Sequence, residues 1–255
     1  MNKLTDYDVY NSRMTAGIED KLFFLDNIDI NDVDTVIDFG CADGQILKLL
    51  PNQWNKIGVD NSIDMFDLEV RNYPKAKYFT KLSDACAHMT DKTLLLFSSV
   101  WHEIFSYCDK IEIDSIINEF TVEHHFKYIV IRDIASSFLG DIPADEKDIE
   151  KIRKNKHGKL FDDFQQRFLK NKQITENDLI HYLLKYRYEE NWSRECVENY
   201  FAMPEKFFIE KLKPYNYEVI YYDRFVLPYI RKIVREDFDF EIKYPTHEKL
   251  ILRGF

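Results

Sequence analysis

Val36-Ile37-Asp38-Phe39-Gly40-Cys41-Ala42-Asp43-Gly44 is the stretch on which the reading of this chain turns. An apolar run ends in an acid, a glycine follows two residues later, and a second glycine stands four residues after that. Continuous apolar runs of this length suit a strand buried on both faces of a parallel sheet. Glycine lets the backbone turn through positive φ and lets a ligand come close. Gln45 to Leu50 then reads as a helix. A helix start offers free N–H groups and a positive dipole end to an anion. The dehydrogenase fingerprint is Gly-x-Gly-x-x-Gly. Here the spacing is Gly-x-x-x-Gly after Asp-x, which disfavours a nicotinamide enzyme. An ordinary tight strand–helix turn is the alternative.

Outward from this loop, Lys56-Ile57-Gly58-Val59-Asp60 has the same strand-to-acid form. Asp60 lies about 20 residues on, where nucleotide-binding folds place an acid for the ribose hydroxyls. Asn61-Ser62 lead into a predicted helix, Ile63 to Asn72, whose Met65 is placed to cover an adenine. Asp60 can also cap that helix. Lys77 to Phe79, Thr93 to Phe97 and Tyr128 to Ile131 read as further strands. Short apolar strands alternating with helices predict an α/β fold with a parallel sheet.

From Ile134 to Tyr200 the pattern is charged, aromatic and helical, with no strand. Glu146 to Lys170 and Glu176 to Arg187 read as helices, the second with Thr175 as N-cap and Asp178 in a capping-box position. The block is too long for a loop and predicts a helical insertion. A helix from Pro204 to Leu212 and strands at Tyr217 to Val226 and His247 to Leu252 follow. The organisation is thus a core over 1–133, an insertion over 134–200 and the rest of the core over 201–255.

Together these motifs resemble the class I S-adenosylmethionine (SAM)-dependent methyltransferases. The resemblance rests on Val36 to Met65, Leu94 to Phe105 and Tyr128 to Asp133. It implies a Rossmann-like fold with a mostly parallel seven-stranded sheet, a final antiparallel strand, and SAM across the carboxyl ends of the first strands. Asp38, Gly40 and Gly44 would hold the methionine part of SAM and Asp60 the ribose, with Cys41, Ala42 and Asn61 as further cofactor contacts. Ala42 stands where many of these enzymes have a glycine. Asp84-Ala85 is similar to the short acidic segment beside the adenine amine.

The resemblance places Phe97-Ser98-Ser99-Val100-Trp101-His102-Glu103 beside the sulfonium and the acceptor. Ser98 would face SAM, with Trp101 and Glu103 on the substrate. His102 is the candidate general base, since imidazole titrates near neutral pH. Loop packing is the alternative. Arg132-Asp133 ends the fifth strand towards the same cleft, with Asp133 a second candidate base and Arg132 a substrate contact. A closing Arg–Asp pair is the alternative. An antiparallel last strand would bring His247 to the mouth of the site. The insertion and Leu227 to Tyr244 would roof it with Phe161, Phe164, Phe168, Tyr182, Tyr186, Tyr188 and Trp192, most of them as core packing. Tyr10, Arg13 and Met14 in the N-terminal segment are candidates to close over SAM.

No metal-ligand set stands out, and the fourth-strand loop lacks both an Asn-Pro-Pro-Tyr-like tetrad and a cysteine. The leading expectation is metal-independent O- or N-methylation of a small molecule. Its alternatives are an RNA or nucleotide methyltransferase and an inactive SAM-binding protein. A net charge of −10 disfavours a nucleic-acid binder, although Lys151, Arg153, Lys154, Lys156 and Lys159 form a local basic run. No apolar run has the form of a signal peptide or a membrane span. Four scattered cysteines, Cys41, Cys86, Cys108 and Cys196, read as reduced. The expected location is the cytoplasm. Neither the acceptor nor the oligomeric state is legible.

Overall fold

A computed structural model describes residues 17–62, 70–170 and 172–255. Met65, most of the helix expected from Ile63 to Asn72, and Tyr10, Arg13 and Met14 lie outside the described residues. The strands are β1 (Thr35–Phe39), β2 (Asn55–Val59), β3 (Lys77–Phe79), β4 (Thr93–Ser98), β5 (Tyr128–Ile134), β6 (Tyr217–Phe225) and β7 (His247–Gly254). They form one seven-stranded sheet in the order β3-β2-β1-β4-β5-β7-β6. β1 to β5 pair in parallel, whereas β7 runs antiparallel to both β5 and β6. Strand order reverses between β1 and β4, so the ligand crevice of such a sheet lies at their carboxyl ends.

The helices are α1 (Ile18–Lys21), α2 (Gln45–Leu49), α3 (Leu82–Cys86), α4 (Trp101–Tyr107), α5 (Lys110–Asn118), α6 (Glu146–Lys154), α7 (Gly158–Arg167), α8 (Glu176–Lys185), α9 (Trp192–Glu195), α10 (Phe207–Leu212) and α11 (Pro228–Phe238). One sheet face buries Ile37, Leu95, Phe97, Ile129, Ile131 and Leu250 beneath α3, α4, α5 and α10. The other buries Val36, Leu94, Leu96, Val130 and Ile251 against Phe23, Phe24, Leu47 and Trp54. All six residues of β4 are buried, which is why this strand carries no polar alternation. Each fully buried Leu or Phe stabilises the fold by about 1.5–3 kcal/mol.

The aromatic block forms a core of its own. Phe161, Phe164, Tyr182 and Tyr186 pack with Ile233, Val234 and Phe238 of α11, so the connection between β6 and β7 completes the insertion. Thr175 and Asp178 do form a capping box. The single helix expected over Glu146 to Lys170 is instead two. α6 ends at Asn155, whose side chain accepts from the His157 N–H at 3.2 Å and donates to the Asp237 carbonyl at 2.6 Å. Only glycine fits at the restart, since a Cβ on Gly158 would strike the Arg153 carbonyl. The helix expected from Pro204 begins at Phe207, because Pro204 bridges to Ser136 and Lys206 adopts a left-handed turn. β5 runs on to Ile134, which places Arg132 and Asp133 inside the strand.

Of the basic run, Lys151 meets Asp239 at 3.6 Å, Arg153 meets Asp162 at 3.3 Å and Lys154 meets Glu150 at 3.0 Å. Three of its five cations thus face an acid, which weakens it as a phosphate-binding surface.

Candidate active site

The loop after β1 turns through Gly40 at φ 77°, Ala42 at φ 47° and Gly44 at φ 74°. A Cβ at Gly40 would lie 2.6 Å from Val100 Cγ2 and 2.9 Å from Val100 Cβ. The first-strand loop is therefore pressed against the fourth-strand loop. Gly40→Ala is expected to cost about 2 kcal/mol or more, from the left-handed backbone plus overpacking. Chemical denaturation checks it, and an unchanged midpoint would remove that close approach from the account. Ala42 adopts the same backbone region without glycine's freedom, at a cost of order 1–2 kcal/mol.

Asp60 ties the cofactor loop to the end of β2. Its carboxylate accepts from the Ala42 N–H at 3.0 Å and from the Ser62 N–H at 2.9 Å. Burial raises its pKa, and the two amide bonds oppose that. Gly58 in β2 allows this packing, since a Cβ there would lie 2.6 Å from both Cys41 Sγ and the Tyr78 ring. Asn61 is exposed beside it. Asp84 is exposed in the first turn of α3 while Ala85 is buried in the core.

Asp38 is 1% exposed, and neither of its carboxylate oxygens has a hydrogen-bond partner. Burial, reinforced by the charge of Asp60 and opposed by Lys21, pushes its pKa up to about 7. Ser98, at the end of β4, is also buried with an unpartnered Oγ. An unpaired buried polar group costs about 1–3 kcal/mol. Such groups at the carboxyl ends of β1 and β4 fit a polar ligand that completes them. SAM, the cofactor of this fold class, would fit them: Asp38 could take an ammonium and Asp60 ribose hydroxyls.

His102 and Asp133 form a buried hydrogen-bonded pair. His102 Nδ1 donates to Asp133 Oδ1 at 2.7 Å. Asp133 Oδ1 also accepts from the Ile134 N–H at 2.7 Å, and Oδ2 accepts from the Val100 and Trp101 N–H groups at 2.8 and 2.6 Å. Burial alone would depress the His102 pKa. The charge and hydrogen bond of Asp133, with the charges of Glu103 and Glu198, override it and raise the pKa to about 8. Burial pulls Asp133 upwards, yet His102 and the backbone donors hold it below the usual carboxylate range.

This geometry corrects several expectations. Asp133 accepts four hydrogen bonds and so has no free lone pair aimed at an acceptor's proton; it holds His102 and caps α4. Trp101 is fully buried among Phe97, Phe105, Phe120 and Phe208, as part of the core. Arg132 donates to Asp20 at 3.0 and 2.9 Å and to Ser99 Oγ at 2.9 Å, which engages it in holding α1. His247 is buried against Phe225, with Nδ1 2.7 Å from Thr246 Oγ1. Burial and the surrounding cations keep it neutral, its pKa well below the usual imidazole value.

The insertion reaches this point directly. The Tyr200 ring meets the His102 ring edge-on at 5.1 Å. Arg194 bonds Glu103 at 2.9 Å, and Tyr107 donates to Glu198 at 3.0 Å. Behind Tyr200 lies buried Lys185, 4.2 Å from its ring centroid, donating to the carbonyls of Glu195 and Glu198. The sequence marked none of Lys21, Lys185, Arg194, Glu198 or Tyr200. The one local cue was the i, i+4 spacing of Arg194 and Glu198, which predicts their ion pair and not its reach to Glu103.

Sheet order, the single antiparallel strand and the paired loops define the class: the chain has the Rossmann-like class I fold of SAM-dependent methyltransferases. Among particular solved structures, it is similar to a SAM-dependent methyltransferase from Archaeoglobus fulgidus, at 14% identity and TM-score 0.53, over 98% of this chain and 100% of that one. A SAM-dependent methyltransferase from Methanosarcina mazei aligns at 15% identity and TM-score 0.52, over 91% and 97%. The plantazolicin methyltransferase BamL, in complex with a triazolic desmethylPZN analog and SAH, aligns at 12% identity and TM-score 0.50, over 96% and 88%. At these identities the likeness is one of fold. No protein-family model matches the chain, and no curated protein matches its sequence.

Proposed function

We propose that the chain is a cytoplasmic SAM-dependent methyltransferase that methylates an oxygen or nitrogen of a small molecule. The observation that carries this reading is His102, fixed by Asp133 beside the loop that meets the cofactor turn at Gly40. BamL, which shares the fold, was captured with SAH and a small-molecule ligand, and this supports the same chemistry here. When bound, SAM would supply an activated methyl carbon at its sulfonium. The protein has to align the acceptor behind that carbon and exclude water.

His102 Nδ1–H is committed to Asp133, so Nε2 is the nitrogen left to take the acceptor's proton. The acceptor loses that proton as its lone pair forms the new bond to carbon. With the donor bound, its thioether would depart with the carbon–sulfur electron pair, and His102 would be left as imidazolium beside Asp133. Tyr200 and Arg194 bring the insertion to the acceptor side, so the insertion selects the acceptor.

S-adenosylhomocysteine at 100 times its Kd is expected to stabilise the protein by about 2.7 kcal/mol. Asp60→Ala should weaken its binding by about 2 kcal/mol, through lost charge-assisted bonds to the ribose. Thermal melts with and without ligand measure both. No stabilisation by the cofactor product, or stabilisation by NADH instead, rejects the reading. Incubation of labelled SAM with fractionated extract then shows whether label enters small molecules, RNA or protein.

A further inference from the structure

We propose that Tyr200 is a positioning residue for His102: it braces the plane of the imidazole so that Nε2 keeps one direction. This rests on the reading of His102 as the general base and gives a role to the residue on which the insertion ends. Asp133 holds the His102 ring through a single atom, the Nδ1–H bonded to Oδ1 at 2.7 Å. The outer torsion of a histidine is broad and a hydrogen bond tolerates bending, so that one bond leaves the ring plane a range of tilts. A second contact on the ring removes that freedom. The Tyr200 ring supplies it, with centroids 5.1 Å apart and planes at 73°, the edge-to-face arrangement that aromatic rings prefer.

A brace must itself be fixed, and Tyr200 is held at its hydroxyl, its N–H and its ring. The hydroxyl donates to Glu195 Oε2 at 2.7 Å, and the N–H donates to His181 Nε2 at 3.2 Å. The Lys185 ammonium lies over the ring, 4.2 Å from its centroid. A buried charge persists only where it is hydrogen-bonded, and Lys185 donates to the carbonyls of Glu195 and Glu198, in the turn that leads into Tyr200. The residue before Tyr200 ties that turn to α4. Ser106 Oγ accepts from the Asn199 N–H at 2.8 Å and donates to the His102 carbonyl at 2.6 Å. The two contacts on the imidazole also come from the two ends of the insertion. The chain leaves β5 just past Asp133 and returns just past Tyr200, where the Ser136 N–H donates to the Met203 carbonyl at 3.1 Å. Asp133 and Tyr200 thus reach His102 from paired segments of backbone.

Tyr200→Leu keeps an apolar side chain at this place and removes the flat ring. Heteronuclear relaxation of the His102 imidazole in the full chain should show a rigid ring in the unaltered protein and a mobile one in this variant. Methyl transfer from labelled SAM into the extract fraction that takes the label should fall about 10- to 100-fold, the cost of a misplaced catalytic group, with S-adenosylhomocysteine affinity kept within about 2-fold. Tyr200→Phe keeps the ring and should restore both the rigid imidazole and most of the turnover. If Tyr200→Leu does not fold, cross-peaks between the His102 and Tyr200 ring protons of the unaltered protein carry the test, and their absence overturns the brace. A rigid imidazole or undiminished turnover in Tyr200→Leu, or an equal loss in Tyr200→Phe, also overturns it, and leaves His102 as the base so long as His102→Ala is inactive. Full turnover in His102→Ala overturns the base reading and the brace with it.

Discussion

His102→Ala is expected to lower kcat by about 10²- to 10⁴-fold, the usual worth of a positioned general base. Affinity for S-adenosylhomocysteine should stay close to that of the unaltered protein, because the proposed cofactor site lies in the loops after β1 and β2. A loop-anchoring role predicts the opposite split, in which cofactor affinity and turnover fall together. The pH profile adds a second readout. With the His102 pKa raised to about 8, the base form is a minority at neutral pH, and activity should climb through pH 8 before levelling. An unperturbed imidazole would place that limb near pH 6.5. Full turnover in the alanine variant removes His102 from the chemistry.

The same shift makes a stability statement. A histidine whose folded pKa exceeds its unfolded value of about 6.5 stabilises the fold most below that pH, here by about 2 kcal/mol. That contribution is lost as pH rises through about 8. The catalytic limb and the loss of stability therefore share one window, so the protein gains its base as it loses part of the bond that positions it. Asp133 acts at the other end: its lowered pKa contributes stability above the unfolded value of about 3.9, lost on acidification.

Much of this architecture is legible along the chain because its signals are local. Continuous apolar runs mark β1, β4 and β5, since strands buried on both faces leave no room for alternation. Glycine spacing marks the turn at Gly40, because the contact with Val100 leaves no space for a side chain. The capping box at Thr175 is legible for the same reason, its partners being three residues apart. What fails is anything decided by distant partners. Trp101 looks like a substrate contact only until Phe120 and Phe208 are seen to enclose it. Arg132 looks free until Asp20, far off in sequence, takes its guanidinium. Lys21 has no sequence signal at all, since a lone lysine in a polar N-terminal segment reads as surface. Its burial comes from the packing of α1 on the sheet.

The other large effect falls on stability. Asp133→Ala is expected to cost about 3–5 kcal/mol, because it removes one partner of a buried charged pair and leaves the other uncompensated. It also strands the Val100, Trp101 and Ile134 N–H groups, two of which form the start of α4. Denaturant midpoints at pH 6.5 measure the loss, and the His102 imidazole resonances report its pKa in the same sample. Without Asp133 the ring keeps the burial that depresses its pKa and loses its strongest opposing charge, so the pKa should fall below 8. Asp133→Asn should fall between the two. An amide keeps one acceptor oxygen, but its NH₂ group cannot accept from backbone donors. His102→Ala and Asp133→Ala together should cost less than the sum of the separate losses, since both break one bond. A loss under about 1 kcal/mol for Asp133→Ala, with the imidazole pKa still near 8, would falsify the anchoring role. The pair would then be an incidental contact, and the raised imidazole pKa would have to come from Glu103 and Glu198.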